Sequence, residues 1–211
     1  MRIVSLLFLA LSAAAATDVR VGDFRAIELN DGGHVTVRYG AVQRVSLVTG
    51  DPHCTRVSVR DENLIIEHTC HDEERLNIEV VTPRLDAVAV NNGGLVQLAG
   101  EFPAQSEIAA AVEEGGMIDI RAIVADDVHA AIHSGGRIFT MSRKTLQAAV
   151  ESGGGITYWG DPSVRKAVRN GGVVARGAAR DADKPLSEFD PTIAPIPPVP
   201  PVPPVPPQPP N

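Results

Sequence analysis

Short stretches that alternate apolar and polar residues follow one another along most of this chain. Between residues 88 and 176 one pattern occurs five times: an alternating stretch, one or two polar residues, Gly-Gly, and a second alternating stretch. The copies span residues 88–98, 110–120, 130–140, 148–158 and 166–176. A period of two residues predicts β-strands, and a repeat of about 20 residues indicates stacked units that bury their apolar faces only together.

Aligning the copies on Gly-Gly places the aliphatic residues in columns. One column precedes the polar residues, the second follows the glycines, and the third lies four residues upstream of the first. The columns are Val90, Val112, Ile132, Val150 and Val168; Val96, Ile118, Ile138, Ile156 and Val174; Ile108, Val128, Leu146 and Val164. We therefore predict an all-β fold, a parallel β-solenoid whose strands stack about 4.8 Å apart. The N-terminal strands would form its beginning or a packed cap.

The glycine pairs are predicted to lie at the corners of this coil, where the chain turns from one strand into the next. Glycine permits the positive φ that a tight corner needs. The predicted corner residues are Gly93, Gly94, Gly115, Gly116, Gly135, Gly136, Gly153, Gly154, Gly171 and Gly172.

A further column consists of alanines that alternate with the aliphatic positions and should therefore point outward. It contains Ala89, Ala111, Ala131, Ala149 and Ala167, beside a ladder of Glu113, His133, Glu151 and Arg169. Outward strand positions usually carry larger polar or branched residues. Two interpretations stay open: alanine is merely tolerated here, or this flat face packs on another sheet or subunit, so that the protein self-associates.

The two ends of the chain differ from the repeats. Residues 1–16 combine Arg2, an apolar run too short to span a bilayer, and small residues, which predicts a cleaved signal peptide and export. Residues 191–211 contain twelve prolines, which predicts a disordered polyproline II tail, because proline has a fixed φ and no N–H. The tail is a spacer or a docking peptide for an aromatic-lined groove. The predicted parts are residues 1–16, an N-terminal β region 17–82, the solenoid 83–178 and the tail 179–211.

Both cysteines lie in the N-terminal β region. A hairpin centred on Glu62 would pair residue i with residue 124−i, so that Cys54 faces Cys70. An exported chain meets an oxidising compartment, and we predict a disulfide between them. Zinc is the alternative, because His53, His68 and His71 lie nearby, but the spacing matches no common zinc motif, and no metal is predicted.

The candidate chemistry is sparse. The acids Asp119, Asp126, Asp127 and Asp161 do not fall into one column, and the sequence contains no nucleophile motif or phosphate loop. We therefore expect no catalytic residue and no cofactor. The adjacent Tyr158 and Trp159 either stack on a sugar or cover the end of the coil. The net charge of −7 without a basic cluster argues against nucleic-acid binding, and no segment has the length of a transmembrane helix.

An ordered set of short motifs resembles a known family. The set includes Phe24-x-x-Ile-x-Leu29, the turn at Gly32, Asn63-Leu-Ile-Ile66, Val80-Val-Thr-Pro-x-Leu85 and the Gly-Gly repeats. It is similar to the auto-transporter adhesin head GIN domains of bacterial envelope proteins. The resemblance implies a right-handed β-helical part and no catalytic residues.

The sequence thus favours an exported, non-enzymatic protein of the bacterial periplasm or cell surface. Its expected role is to bind an envelope polymer, an envelope protein or itself. The alternatives are a carbohydrate-active enzyme on a β-helix scaffold and a purely structural spacer.

Overall fold

The structure is a computed structural model that describes residues 16–70 and 75–189. The predicted signal peptide, apart from Ala16, and the proline-rich residues after 189 lie outside the described residues, as does His71. The strands are β1 (Thr17–Val19), β2 (Ala26–Asn30), β3 (His34–Tyr39), β4 (Arg44–Thr49), β5 (Thr55–Arg60), β6 (Asn63–His68), β7 (Asn77–Thr82), β8 (Ala87–Asn91), β9 (Leu95–Ala99), β10 (Gln105–Glu114), β11 (Met117–Ser134), β12 (Arg137–Ser152), β13 (Gly155–Gly160), β14 (Ser163–Val168) and β15 (Val173–Arg176).

The all-β prediction is confirmed: the only helical elements among the described residues are a 3₁₀ turn at Ala179–Asp181 and α1 at Leu186–Phe189. The strands form one sheet that wraps around the core and is nearly closed. The sheet is mixed rather than wholly parallel, because β1–β4, β4–β7 and β5–β6 pair antiparallel near its edges. The pairs between these edges are parallel, and they include β2 with β8 and β3 with β9.

Two long strands join the two halves of the sheet. The first residues of β11 pair with β9, and its later residues pair with β10. In the same way, β12 pairs first with β13 and then with β14. The first half of the sheet therefore contains β5, β6, β2, β8, β10, the later parts of β11 and β12, and β14. The second half contains β1, β4, β7, β3, β9, the early parts of β11 and β12, β13 and β15.

The core lies between these two halves. Each aliphatic column is in direct register, as in Val112 opposite Ile132 and Ile118 opposite Ile138. Most of these side chains are buried, and one hydrophobic cluster extends from Phe24 to Ile156. This cluster crosses the predicted boundary at residue 83, since β2 and β3 lie in parallel register with β8 and β9. The burial of a continuous aliphatic interior is the main source of stability in such a stack.

The C-terminal segment corrects the predicted start of the tail. Residues 179–189 were expected to belong to the disordered tail, but they are ordered and cross the outside of the second half of the sheet. Leu186 is buried with Phe139 and Trp159, and Phe189 packs against the same cluster. We call residues 177–189 the C-terminal strap. Its apolar residues are too few and too irregular to form a strand or helix pattern, so the sequence did not reveal this packing.

Candidate functional site

The outward alanines form one continuous surface. Ala89 pairs with Ala111, Ala111 with Ala131, Ala131 with Ala149, and Ala149 with Ala167. The first two are half-buried and the last three are exposed. Parallel register places equivalent residues side by side, about 4.8 Å apart. The predicted column therefore exists as a flat apolar ladder across five strands.

A second alanine column widens this surface, and sequence alignment on the glycines did not single it out. Ala26, Ala87 and Ala109 lie in register with one another on β2, β8 and β10. The column continues as His129, Gln147 and Arg165 on the next strands. We call the eight outward alanines, in two adjacent columns, the alanine face. Together with Asn63 and these three polar residues they line a shallow groove of about 650 Å³.

Charged residues lie along both borders of the alanine face. In the ladder beside the alanines, Nδ1 of His133 lies 2.7 Å from a carboxylate oxygen of Glu151, and both side chains are about half exposed. On the opposite border, Nε2 of His129 lies 3.3 Å from a carboxylate oxygen of Glu107. Exposed pairs of this kind contribute little to stability. The face is thus an apolar strip between polar borders, and the borders are accessible to a partner.

The glycine pairs lie at the turns between the two halves of the sheet. Nine of the ten predicted corner glycines have positive φ, between 69° at Gly115 and 95° at Gly94; Gly172 does not. The second glycine of a pair also meets the preceding corner: a Cβ on Gly136 would lie 2.7 Å from the carbonyl oxygen of Gly116. The corners are further linked by hydrogen bonds, such as Arg137 N–H to Gly116 O at 3.0 Å. Stacked glycines therefore hold the strands of the alanine face in register.

The predicted disulfide is present, with Cα atoms of Cys54 and Cys70 5.2 Å apart. The predicted register was wrong by one residue, because Arg56 faces Glu67 and Thr55 faces His68. The turn is a two-residue turn in which Asp61 and Glu62 both have positive φ, a geometry that matches strand twist. Cys54 thus lies opposite Thr69, whose N–H donates to Cys54 O at 2.8 Å, and the disulfide joins residues just beyond the paired strands.

Trp159 is a buried residue in the second half of the sheet. Its side chain is 3 % exposed, and its indole N–H donates to Ala178 O at 2.9 Å under the C-terminal strap. Tyr158 points to the other side of the strand and packs against the main core. The alternative expectation was that the aromatic pair covers the end of the coil. Trp159 instead lies under the C-terminal strap, with Phe139 and Leu186, on the outside of the second half of the sheet.

The four candidate acids are dispersed, and each contacts its own partner. Asp119 is buried beneath the strap with Arg121, and Asp126 pairs with Lys144 at 2.8 Å. Asp127 accepts a hydrogen bond from Thr145, and Asp161 lies 3.3 Å from Arg176. The four carboxylates thus belong to four separate local contacts.

The cysteines form a disulfide and are not available as thiolate ligands. Within residues 16–70 and 75–189, no three His, Cys, Asp or Glu side chains are placed to hold a metal ion. No helix in the same part of the chain is long and apolar enough to cross a membrane.

Comparison with known proteins connects this architecture to one family. The family described as "Putative auto-transporter adhesin, head GIN domain" matches residues 23–107 and 88–162. A putative adhesin from Bacteroides fragilis NCTC 9343 is similar in structure, with 16% identity, a TM-score of 0.43, and coverage of 77% of this chain and 95% of that chain. No curated protein matches this sequence.

Two further solved structures are similar. A putative adhesin from Parabacteroides merdae ATCC 43184 has 14% identity and a TM-score of 0.37, with coverage of 78% of this chain and 96% of that chain. A putative lipid binding protein from Parabacteroides distasonis ATCC 8503 has 12% identity, the same TM-score of 0.37, and the same coverage of 78% and 96%.

Proposed function

Because the chain belongs to the family of auto-transporter adhesin head GIN domains, we propose that it is a non-enzymatic binding module of the bacterial cell envelope. The observation that carries the proposal is the alanine face, where Ala131 and Ala149 are exposed in direct register on neighbouring strands. A flat apolar strip with polar borders resembles the core and rim of a binding interface. It fits an extended partner, such as an envelope polymer or a protein segment, that lies along the stack.

The other surfaces support this choice. The apolar patch around Phe139 and Trp159 is already covered by the C-terminal strap, so it is not free for a partner. The candidate acids are engaged with separate partners, which argues against a glycan-cleaving site. The proposal also includes export, inferred from residues 1–16, and sequencing of the mature N-terminus is expected to begin near Thr17.

The coil is proposed to be right-handed. Connections between neighbouring parallel strands of one sheet are right-handed in about 98% of cases. Here β8 and β10 are parallel neighbours, and the chain between them passes through β9 in the other half of the sheet. An experimental structure would test the handedness.

Binding to an insoluble bacterial envelope fraction tests the function. The double variant Ala131→Arg/Ala149→Arg places two long charged side chains on the alanine face without entering the core. The matched control is Ala175→Arg, since Ala175 is exposed and faces outward on β15 in the second half of the sheet. The wild type and the control are expected to sediment with the envelope fraction, whereas the double variant stays in solution.

The same experiment contains the outcomes that would contradict the proposal. Equal sedimentation of all three proteins would show that binding uses another surface. Release of soluble sugar from the envelope fraction by the wild type would indicate an enzyme instead.

A further inference from the structure

The groove on the alanine face has a defined length. It crosses β6, β2, β8, β10, β11, β12 and β14, which follow one another in the sheet. Seven strands have six spacings of about 4.8 Å, so the groove is about 29 Å long. A bound chain that lies along the groove would cross the strands one after another. A sequence repeat in that chain would therefore have to match the spacing between the strands.

The proline-rich tail has a matching repeat. Residues 196–207 read Ile-Pro-Pro-Val-Pro-Pro-Val-Pro-Pro-Val-Pro-Pro. A polyproline II helix rises about 3.1 Å per residue with three residues per turn, so its aliphatic residues recur every 9.3 Å or so on one side. Two strand spacings are about 9.6 Å. Ile196, Val199, Val202 and Val205 would therefore contact every second strand over about 28 Å.

The chemistry of the two surfaces is complementary. Residues 191–211 contain no charged residue, and their twelve prolines have carbonyl acceptors without N–H donors. A polyproline II helix also makes no internal hydrogen bonds. The groove offers an apolar floor, and Gln147 and Arg165 on its border provide donors. Among the described residues, these two side chains have no hydrogen-bond or ion-pair partner.

The strap sets the place from which the tail starts. Phe189 packs on Phe139 and Trp159 outside the second half of the sheet, whereas the alanine face lies outside the first half, across the core. Each tail therefore starts on the side of the molecule away from its own groove. We propose that residues 196–207 of one copy bind, as a polyproline II helix, to the alanine face of a second copy. This inference rests on the proposed function, because both use the alanine face.

This contact is heterologous, since tail and face are different surfaces. Such contacts do not need a two-fold axis, and they join copies into chains unless a ring closes. The contact also differs from the expected docking of the tail in an aromatic-lined groove, because the floor here is alanine.

The test uses the full chain and a fluorescent synthetic peptide of residues 193–210. The peptide is expected to bind the wild type and Ala175→Arg equally, and Ala131→Arg/Ala149→Arg at least tenfold more weakly. A peptide of the same composition with its three valines adjacent to one another is expected to bind the wild type at least fivefold more weakly, because its repeat no longer matches the strands.

In sedimentation velocity, the wild type should associate as concentration rises. The full chain with Val199→Asp/Val202→Asp/Val205→Asp should stay monomeric.

Several results would overturn the inference. Equal binding of the peptide to the wild type, Ala175→Arg and Ala131→Arg/Ala149→Arg would show that the groove is not the binding site. Equal affinity of the wild type for the two peptides would show that the spacing of the valines does not matter. A wild type that stays monomeric, together with tighter peptide binding by the tail variant, would show that each tail occupies its own groove. If the peptide does not bind but Ala131→Arg/Ala149→Arg still abolishes envelope binding, the proposed function stands and this inference fails.

Discussion

Arg121 and Asp119 form a buried ion pair on the same face of β11, with 2.6 Å between Nη2 and Oδ2 and only 9% of each side chain exposed. The guanidinium also donates to the carbonyl oxygens of Asp181, Ala182 and Lys184. Its central carbon lies 5.1 Å from the Trp159 ring centroid, and the Phe139 and Phe189 rings are similarly close. Arg121 thus joins the strap to the sheet in three ways: its charge pairs with Asp119, its N–H groups donate to strap carbonyls, and its planar guanidinium packs on the aromatic rings.

Replacement of Arg121 should therefore release the strap. Arg121→Ala leaves the carboxylate of Asp119 buried without its partner, and the expected loss in free energy of unfolding is about 3–5 kcal/mol. Chemical denaturation measures the loss, and limited proteolysis should show new cleavage within residues 177–189. The exposed Arg143→Ala serves as the control and should change neither result. Unaltered protease resistance in Arg121→Ala would contradict this role.

The two glycines of a corner should differ in their tolerance of a side chain. Gly135 and Gly136 have φ of 72° and 91°, but only Gly136 lacks space for a Cβ. Gly135→Ala should lower the free energy of unfolding by about 1–2 kcal/mol, the cost of the left-handed conformation. Gly136→Ala should cost a further 1–3 kcal/mol or so, because the stacked corner must shift. Thermal or urea unfolding of the two variants compares them directly, and equal losses would contradict the stacking of corners.

The last strands carry charges where the preceding strands carry an inward-facing buried or half-buried residue. Lys166 follows Ala148 in an inward column of the first half of the sheet, and Arg176 follows Tyr158 in the second half. Inward charges on an edge strand prevent the addition of another strand. Lys166→Val/Arg176→Leu should therefore promote end-to-end association, measured by light scattering. Arg143→Leu/Lys144→Val removes two positive charges within the stack and should leave the scattering unchanged, so equal scattering of the two double variants would count against the idea.

His34 should make stability depend on pH. Burial lowers the pKa of His34 below its usual 6.5, and the side-chain amide of Gln97 donates to its Nε2, which favours the neutral ring. The unfolded chain binds a proton near pH 6.5, whereas the folded chain resists it. The contribution of His34 is thus complete above pH 6.5 and is lost as pH falls below that value.

Urea denaturation between pH 7.5 and 5 measures this effect. The free energy of unfolding of the wild type should fall across this range more than that of His34→Gln. The exposed His53→Gln is the control and should follow the wild type. A His34→Gln variant with the same pH dependence as the wild type would show that this ring does not contribute.

Local patterns were enough to predict the strands and the register of the aliphatic columns, because a period of two and a repeat near 20 residues each follow from strand geometry. Val112, Ile132 and Val150 could be aligned from the glycines alone. The register of the Cys54–Cys70 hairpin was predicted one residue away from its observed value, since the turn depends on positive φ at two non-glycine residues, Asp61 and Glu62.

Contacts between distant segments could not be predicted in the same way. The carbonyl groups of the strap that accept hydrogen bonds from Arg121 lie 60–63 residues further along the chain, and the strap has no periodic pattern. The second alanine column was also missed, because it changes to His129, Gln147 and Arg165 after Ala109. Its register becomes evident only when the strands are placed side by side. The groove, and hence the candidate site, depends on that placement.

The five outward alanines form one continuous surface in parallel register, and the proposed function depends on this surface. Nuclear Overhauser spectroscopy of protein labelled with ¹³C at the alanine methyl groups would detect this register in solution. Cross-peaks are expected between consecutive members of the ladder, from Ala89 to Ala111 and onward through Ala131 and Ala149 to Ala167. Absence of the Ala111–Ala131 and Ala131–Ala149 cross-peaks from a well-assigned spectrum would contradict this register.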